Sequence, residues 1–312
     1  MLFGRYQFTC RFTEDALLPP YKGSTFRGAF GGALKKVVCA VREKDCSRCL
    51  LAARCVYARV FENVTPASGD RSRQVAPPHP YVIEPPATTQ TRYAAGDLFE
   101  FTLLLFGEFT DYLPYFVYAF EAMGEQGLGG RRGQGMGRYA LESICCEGQP
   151  LYDPSRRQLA PHLPRMLELG SAPSVLGELH LRLLTPLRLK FDNQLSADLP
   201  FHLLTRAALR RVSSLFAAFG GGEPELDYRG LVARAQEVEI RQSRLCWHDW
   251  KRYSSRQEQT MLMGGINGEI LYRGAVGEYL PLLGLARELH LGKQSAFGLG
   301  RIDFTFSPDP VA

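Results

Sequence analysis

A glycine signature that occurs twice constrains the fold of this chain more than any other feature. The first copy is Gly129-x5-Gly135-x-Gly137-Arg138, and the second is Gly292-x5-Gly298-x-Gly300-Arg301. Each copy leads into alternating apolar residues, at 139–144 and 302–306, as in a half-buried strand. Two loops of equal spacing, each followed by a strand, indicate two copies of one domain. Because glycine lets backbone N–H groups approach a ligand closely, the loops also favour binding of an anion such as phosphate.

The predicted elements follow the same order in both halves of the chain. Apolar periodicity predicts strands at 4–12, 98–106, 139–144, 178–185, 235–246 and 302–306, and helices at 24–38, 113–124, 200–219 and 278–288. Each half fits a βαββαβ order, so the predicted fold class is α+β, with tandem ferredoxin-like domains that carry the glycine-rich loops. The length of 312 residues suits domains at 1–150 and 176–312, joined by a proline-containing linker at 151–175.

Composition and hydropathy narrow the location and the class of partner. No run of about 18 apolar residues occurs, and the N-terminus lacks the apolar core of a signal peptide. We therefore expect a cytoplasmic protein with no membrane partner. The 37 basic and 32 acidic residues give a net charge of +5, a mild excess that is compatible with nucleic acid.

Four of the eight cysteines form one cluster within an insertion at 39–55. The spacing is Cys39-x6-Cys46-x2-Cys49-x5-Cys55. Four thiolates are enough to close a tetrahedral structural zinc site, and the alternatives are an iron–sulfur cluster or free thiols. A closed site leaves no open position on the metal, so we predict a structural zinc and no cofactor for catalysis.

A second candidate site combines cations with aromatic rings. This basic aromatic segment comprises Arg241, Arg244, Trp247, His248, Trp250, Lys251, Arg252, Arg256 and Gln257. Cations pair with phosphate while rings stack on unpaired bases, which favours RNA as the ligand. The alternative is an amphipathic strand with core tryptophans and solvated arginines. The predicted RNA-binding residues are Arg252, Arg256 and Trp250 here, Arg131 and Arg132 in the first loop, and Gly292, Gly298, Gly300 and Arg301 in the second.

The histidines are candidates for acid–base catalysis. RNA cleavage without a metal needs one group to deprotonate the 2′-hydroxyl and another to protonate the 5′-oxygen, for which histidine is suited. Of the six histidines, His290 lies two residues before the second glycine loop, whose Lys293 could neutralise a phosphate. His248 lies in the basic aromatic segment. We therefore predict His290, His248 and Lys293 as catalytic candidates, and the alternative for each histidine is a hydrogen-bonded structural role.

Several segments together resemble a known family. In the C-terminal half these are LHLGKQSAFGLGR at 289–301, WHDWKRYSSRQ at 247–257 and GGING at 264–268. In the N-terminal half they are FRGAFGGAL at 26–34, the four cysteines, Tyr57, Phe61-Glu62, HPYVIEPP at 79–86 and LPYF at 113–116. The chain resembles CRISPR-associated precursor-crRNA processing endoribonucleases of the RAMP superfamily, in a branch with an N-terminal four-cysteine insertion.

The resemblance implies a function as well as a fold. It implies two RAMP-type (RRM-like) ferredoxin-like domains that bind CRISPR repeat RNA and cleave it without a metal, leaving a 2′,3′-cyclic phosphate and a 5′-hydroxyl. Several members place the catalytic histidine near the first helix, whereas this chain has no histidine before His79. Either another histidine serves, or the protein is a non-catalytic RNA-binding subunit that joins other subunits of a CRISPR effector complex.

Overall fold

The computed structural model divides the chain into two compact units. It describes residues 1–41, 45–62, 77–128, 137–189, 196–254 and 259–310. The units are Met1–Met166 and Leu167–Ala312. Residues 152–166 of the segment that was expected to link the two halves contribute short strands to the first unit.

The first unit is a ferredoxin-like domain. Its main elements are β1 (Leu2–Phe12), α1 (Gly23–Val38), α2 (Val56–Val60), β2 (Tyr81–Glu84), β3 (Leu98–Phe106), α3 (Leu113–Gln126) and β4 (Tyr139–Cys146). The strands form an antiparallel sheet in the order β2-β3-β1-β4. From Gly4 to Phe12 every second residue of β1 is buried, and the Phe8 ring packs on the rings of Phe101 and Phe120. The apolar face predicted for β1 therefore forms the core between the sheet and α3.

Short elements complete the first unit. Two-residue strands pair Ala16–Leu17 with Arg92–Tyr93, Gln149–Pro150 with β4, Tyr152–Asp153 with Gln158–Leu159, and Arg165–Met166 with β1. Short 3₁₀ helices lie at Cys46–Arg48 and Gly107–Tyr112. Helix α3 ends at Gly127, whose backbone has φ 86° and ψ 151°, a conformation that glycine adopts without strain.

The second unit repeats the arrangement. Its main elements are β5 (Gly177–Leu187), α4 (Phe201–Phe219), α5 (Tyr228–Arg234), β6 (Glu239–Ser254), β7 (Gln259–Gly274), α6 (Leu280–Leu289) and β8 (Ile302–Pro308), with 3₁₀ turns at Ala235–Glu237, Gly277–Tyr279 and Ser295–Phe297. The antiparallel sheet has the order β6-β7-β5-β8, which is the order of the first unit. Both β6 and β7 are 16 residues long and form one hairpin, with β6 at the edge of the sheet.

The predicted fold class is confirmed, with tandem ferredoxin-like units and antiparallel sheets. Each predicted strand and helix has a counterpart, and most ends shift by one or a few residues. The strand predicted at 235–246 is the exception: it begins at Glu239, after a 3₁₀ turn, and runs on to Ser254. The sequence interpretation missed β2, which lies in a proline-rich segment, as well as β7 and the short helices α2 and α5. Within the described parts of the chain, no helix is both long and apolar enough to cross a lipid bilayer.

Candidate nucleic-acid interface

The second glycine loop connects α6 to β8 through a backbone that side chains rarely adopt. Five residues between 290 and 300 have positive φ: His290, Gly292, Gln294, Gly298 and Gly300. A Cβ on Gly300, where φ is 76°, would lie 1.8 Å from the Leu291 carbonyl oxygen. Glycine is therefore required at this position by both the backbone angle and the close approach of the chain.

The first glycine loop closes in the same way. The Leu128 amide donates to the Gly137 carbonyl at 2.8 Å, just as the Leu291 amide donates to the Gly300 carbonyl at 2.8 Å. A Cβ on Gly137 would lie 2.0 Å from the Leu128 carbonyl oxygen. Gly129 and Gly135 lie outside the described residues. The shared closure supports the interpretation that the two loops are copies of one element.

The C-terminal end of β5 holds the second loop by its backbone. The Thr185 hydroxyl donates to the Gly298 carbonyl at 2.8 Å and accepts from the Arg301 amide at 2.9 Å. The Gly300 amide donates to the Pro186 carbonyl at 3.0 Å. These bonds fix the C-terminal half of the loop against the sheet.

Arg188 links the loop to the β6–β7 hairpin. Its carbonyl accepts from the Lys293 amide at 2.9 Å, and its guanidinium donates to the Gly264 carbonyl on β7 at 2.8 Å. A Cβ on Gly292 would lie 2.5 Å from the Arg188 carbonyl oxygen, which explains glycine there. The segment 185–188 thus brings the glycine loop next to β7, the strand that pairs with the basic aromatic segment. Sequence reasoning missed it, because the only signal was an arginine just beyond a predicted strand.

The middle of the hairpin is built around glycines of β7. The Trp247 indole donates to the Asp249 carboxylate at 2.8 Å, and a Cβ on Gly264 would lie 2.1 Å from that carboxylate. His248 is exposed opposite Gly265, and its ring stacks on Trp250 with a centroid distance of 5.9 Å. Gly264 and Gly265 therefore leave room for the side chains of β6 and for the end of β5.

The first amides of the 3₁₀ turn Ser295–Phe297 have no acceptor within the turn itself, and the side chain of the capping residue does not supply one. Gln294 caps this turn with φ 64° and lies next to the exposed side chain of Lys293. Backbone N–H groups in such an αL-containing turn, beside a cation, are suited to an anion such as phosphate. Among the other predicted cations, Lys251 is exposed and Arg301 is half-buried.

The remaining predicted RNA-binding residues are distributed as follows. Trp250 is half-buried on β6, and Arg252 lies on the same strand opposite Met261. Arg131, Arg132 and Arg256 lie outside the described residues. Arg244 forms an ion pair with Glu269 at 3.2 Å, so part of the positive charge of the segment is compensated.

The histidines differ sharply in their surroundings. Ring nitrogens of four histidines hydrogen-bond to protein groups: His79 to the Val60 carbonyl, His162 to the Tyr6 hydroxyl, His180 to Glu269, and His290 to the Leu299 carbonyl. His202 is half-buried, and burial together with Arg206 lowers its pKa. His248 is the one histidine of the six that is exposed rather than buried or half-buried.

His290 is completely buried, although its sequence position made it a catalytic candidate. Its Nδ1 donates to the Leu299 carbonyl at 3.0 Å, and its own backbone has φ 60° and ψ 145°. A ring with no exposed surface does not reach an RNA phosphate in this conformation. The placement favours the hydrogen-bonded structural alternative for His290, and it leaves His248 as the accessible candidate.

The four clustered cysteines lie near one another without completing a ligand set. Cys39 follows the last turn of α1, Cys46 begins a 3₁₀ turn that Cys49 ends, and Cys55 precedes α2. The pKa of the Cys46 thiol is raised, chiefly by burial and also by Glu62, Cys55 and Cys39, while Lys35 acts in the opposite direction. Over the described ranges, no three His, Cys, Asp or Glu side chains converge as metal ligands.

Comparisons with known proteins cover both units. Residues 1–164 match the family model of the AF_1859 N-terminal domain, and residues 181–302 match the model of the CRISPR-associated endoribonuclease Cas6. A protein of Archaeoglobus fulgidus, described as uncharacterized, is 28% identical over 291 residues, which are 91% of each chain.

Several solved structures share the fold. A Cas6 product complex has a TM-score of 0.58 at 14% identity over 97% of this chain and 100% of that one. Thermus thermophilus Cas6 has a TM-score of 0.54 at 14% identity, over 97% and 98% of the two chains. A partial Cas6-RT-Cas1–Cas2 complex has a TM-score of 0.58 at 14% identity, and our chain spans 47% of the matched chain in it. At these identities the likeness shows a common fold.

Proposed function

We propose that this chain, which belongs to the family of the AF_1859 N-terminal domain and carries a Cas6 endoribonuclease domain at residues 181–302, cleaves CRISPR repeat RNA to release crRNAs. One observation carries the proposal. The Cas6 match contains both the glycine loop and the hairpin, and Arg188 hydrogen-bonds to both within the same unit. The Cas6 match supports the substrate class, and the proposed reaction is built on the chemistry of these two elements.

The glycine loop is the proposed phosphate site. The amides that open the Ser295–Phe297 turn and the ammonium group of Lys293 would hold the phosphate group at the cleavage position. A cation placed there also stabilises the extra negative charge of the pentacovalent transition state. Trp250 and Lys251 on β6 would bind the adjacent nucleotides through stacking and charge.

His248 is the proposed general acid–base residue. In the reaction, the 2′-hydroxyl loses its proton and its oxygen attacks the adjacent phosphorus. The bond from phosphorus to the 5′-oxygen then breaks, and that oxygen gains a proton. The products are a 2′,3′-cyclic phosphate and a 5′-hydroxyl, and every proton moves between RNA, protein side chains and water. A metal is not required in this scheme.

Cleavage of the cognate repeat RNA in EDTA tests the reaction. We expect a single cut, a cyclic phosphate on the 5′ fragment, and no cleavage when the nucleotide at the cut carries 2′-hydrogen instead of 2′-hydroxyl. Loss of cleavage in EDTA, or cleavage of the deoxy substrate, would contradict the mechanism.

His248→Ala tests the proposed residue. Loss of a general acid or base lowers the rate by about 10²–10⁴-fold, while RNA affinity should change little. The matched control is His180→Gln, since His180 lies on β5 and pairs with Glu269 at 3.1 Å. If both variants cleave at the wild-type rate, the acid–base role belongs to another residue.

The alternative is a non-catalytic RNA-binding subunit that joins other CRISPR proteins. The burial of His290 favours it, because the histidine beside the phosphate site is not available to RNA. This alternative predicts salt-sensitive binding of repeat RNA with no cleavage, and any specific cut that disappears in His248→Ala would exclude it.

A further inference from the structure

His290 occupies a backbone conformation that its counterpart in the first unit gives to glycine. Leu291 and Leu128 make the same closing hydrogen bond in the two loops, so the preceding residues, His290 and Gly127, are equivalent. Gly127 has φ 86° and ψ 151°, and His290 has φ 60° and ψ 145°. A side chain is strained in this region, where glycine is not. A histidine at position 290 therefore costs conformational free energy relative to glycine, and a contact made by its ring would have to offset that cost.

The His290 ring closes the glycine loop from inside. Its Nδ1–H donates to the Leu299 carbonyl at 3.0 Å, and this bond ties the start of the loop to a residue that follows the 3₁₀ turn Ser295–Phe297. His290, Leu291 and Leu299 are all completely buried. The loop from His290 to Leu299 is thus held at both ends by a bond that a glycine at position 290 would lack.

Arg211 holds the residue before His290. It lies on α4 and is 9% exposed, and its Nε donates to the Leu289 carbonyl at 3.0 Å. Leu289 is the last residue of α6, so the guanidinium lies at the negative end of the helix dipole. Burial lowers the pKa of Arg211 to about 10, which leaves it charged at neutral pH. Burying a cation costs desolvation free energy, and the Arg211 cation is held against the Leu289 carbonyl, where α6 ends and the loop begins.

We propose that Arg211 and His290 are positioning residues that hold the glycine loop in its RNA-binding conformation without contacting RNA. Their two hydrogen bonds, from Arg211 to the Leu289 carbonyl and from His290 to the Leu299 carbonyl, are called the loop lock. Arg211 fixes the end of α6, and His290 fixes the far side of the loop. The lock belongs to the second loop, since the equivalent position of the first loop is Gly127. The RNA readouts below rest on the proposed function, and the first readout does not.

Amide hydrogen exchange tests the lock without RNA. Arg211→Met removes the hydrogen-bond donor and retains an unbranched side chain that fills much of the same space. Arg210→Met, on the exposed side of the same helix, is the control. We expect the protected amides of Leu291, Lys293 and Gly300 to exchange at least about 10-fold faster in Arg211→Met, because local opening is easier. The Leu128 amide of the first loop should not change in either variant. Wild-type exchange of the second loop in Arg211→Met would overturn the proposal.

His290→Asn tests the second half of the lock and serves if Arg211→Met does not fold. Asparagine tolerates positive φ, and its side-chain N–H occupies the place of the His290 Nδ1–H. We expect His290→Asn to keep slow exchange in the loop, and His290→Leu, which has neither property, to lose it. Equal exchange in the two variants would show that the ring fills space and does not close the loop.

RNA binding then separates positioning from contact. Arg211→Met should weaken repeat RNA binding about 10-fold with an unchanged slope of log affinity against log salt, because no phosphate contact is lost. Lys293→Met should weaken binding and reduce that slope by about 0.7. If the loop exchanges faster while RNA affinity stays at the wild-type value, the lock is real and the loop is not the RNA site. If Arg211→Met reduces the slope like Lys293→Met, Arg211 contacts phosphate and the positioning role is wrong.

Discussion

Gly300→Ala is the most direct test of how the glycine loop is built. Gly300 has φ 76°, and the new methyl carbon would lie 1.8 Å from the Leu291 carbonyl oxygen and 2.8 Å from its carbon. The neighbour is backbone, so it does not move aside as a flexible side chain would. Gly300 also accepts from the Leu291 amide and donates to the Pro186 carbonyl, so any shift of the chain disturbs these bonds.

The expected cost follows from two terms. The left-handed conformation costs an alanine about 1–2 kcal/mol relative to glycine. Relieving the clash weakens at least one backbone hydrogen bond, for about 1 kcal/mol more. We therefore expect Gly300→Ala to lower the free energy of unfolding by about 2–3 kcal/mol, or more if the sheet end also shifts.

Gly284→Ala is the matched control, and its predicted effect has the opposite sign. Gly284 lies inside α6, and a Cβ there meets no atom within 4 Å. Alanine in a helix interior is favoured over glycine by about 0.5–1 kcal/mol, so this variant should be stabilised.

Urea denaturation followed by tryptophan fluorescence measures both variants, since Trp247 and Trp250 lie in the same unit. At a typical slope of about 2 kcal/mol per molar urea, Gly300→Ala should lower the unfolding midpoint by about 1–1.5 M. A Gly300→Ala protein with the wild-type midpoint would refute the reasoning, because it would mean that the loop does not approach Leu291 as described. Equal destabilisation by Gly300→Ala and Gly284→Ala would show that this unit is destabilised by any added methyl group, whatever the backbone conformation.

Two further predictions concern the metal and the hairpin. We predict one zinc per chain at Cys39, Cys46, Cys49 and Cys55, although these thiols do not converge in the structure. Elemental analysis should find zinc in the wild type and in a Cys246→Ser control, and no zinc in the Cys46→Ser/Cys49→Ser double variant. Iron, or no metal, in the wild type would contradict the prediction. Gly264→Ala should lower repeat RNA affinity by about 10-fold or more, because a Cβ there would displace Asp249 and the Trp247 ring; affinity that equals wild type would remove the hairpin from the site.

The sequence predicted the fold well because hydrophobic periodicity and the repeated loop carry the same information. Strand β1 and the first half of β3 alternate, and helices such as α4 carry one apolar face, so local pattern and final burial agree. The missed strand β2 is buried at all four residues and flanked by prolines, and a fully buried run has no alternation. The missed β7 contains Gly264, Gly265 and Gly268, which break the pattern because they make room for neighbours.

The site was predicted less completely, because spacing along the chain does not report burial. His290 and Lys293 are three residues apart, yet one is buried completely and the other is exposed. The contacts that place both depend on Arg188 and Arg211, which are distant from the loop in sequence. A backbone that turns through positive φ at five positions sends adjacent side chains in unrelated directions. Only the folded geometry therefore separates a positioning residue from an RNA contact.

Gly137→Ala asks whether both loops serve RNA or only the second. Gly137 has φ 78° and closes its loop on Leu128, so alanine there should cost about as much stability as at Gly300. If function is concentrated in the second loop, Gly137→Ala should bind and cleave repeat RNA like wild type at temperatures where both variants are folded, whereas Gly300→Ala should not. A loss of RNA affinity in Gly137→Ala without unfolding would assign RNA contacts to the first loop, where Arg131 and Arg132 are the predicted partners of phosphate. The pair of variants has matched backbone chemistry, so a difference between them reports what each loop binds and not how each loop folds.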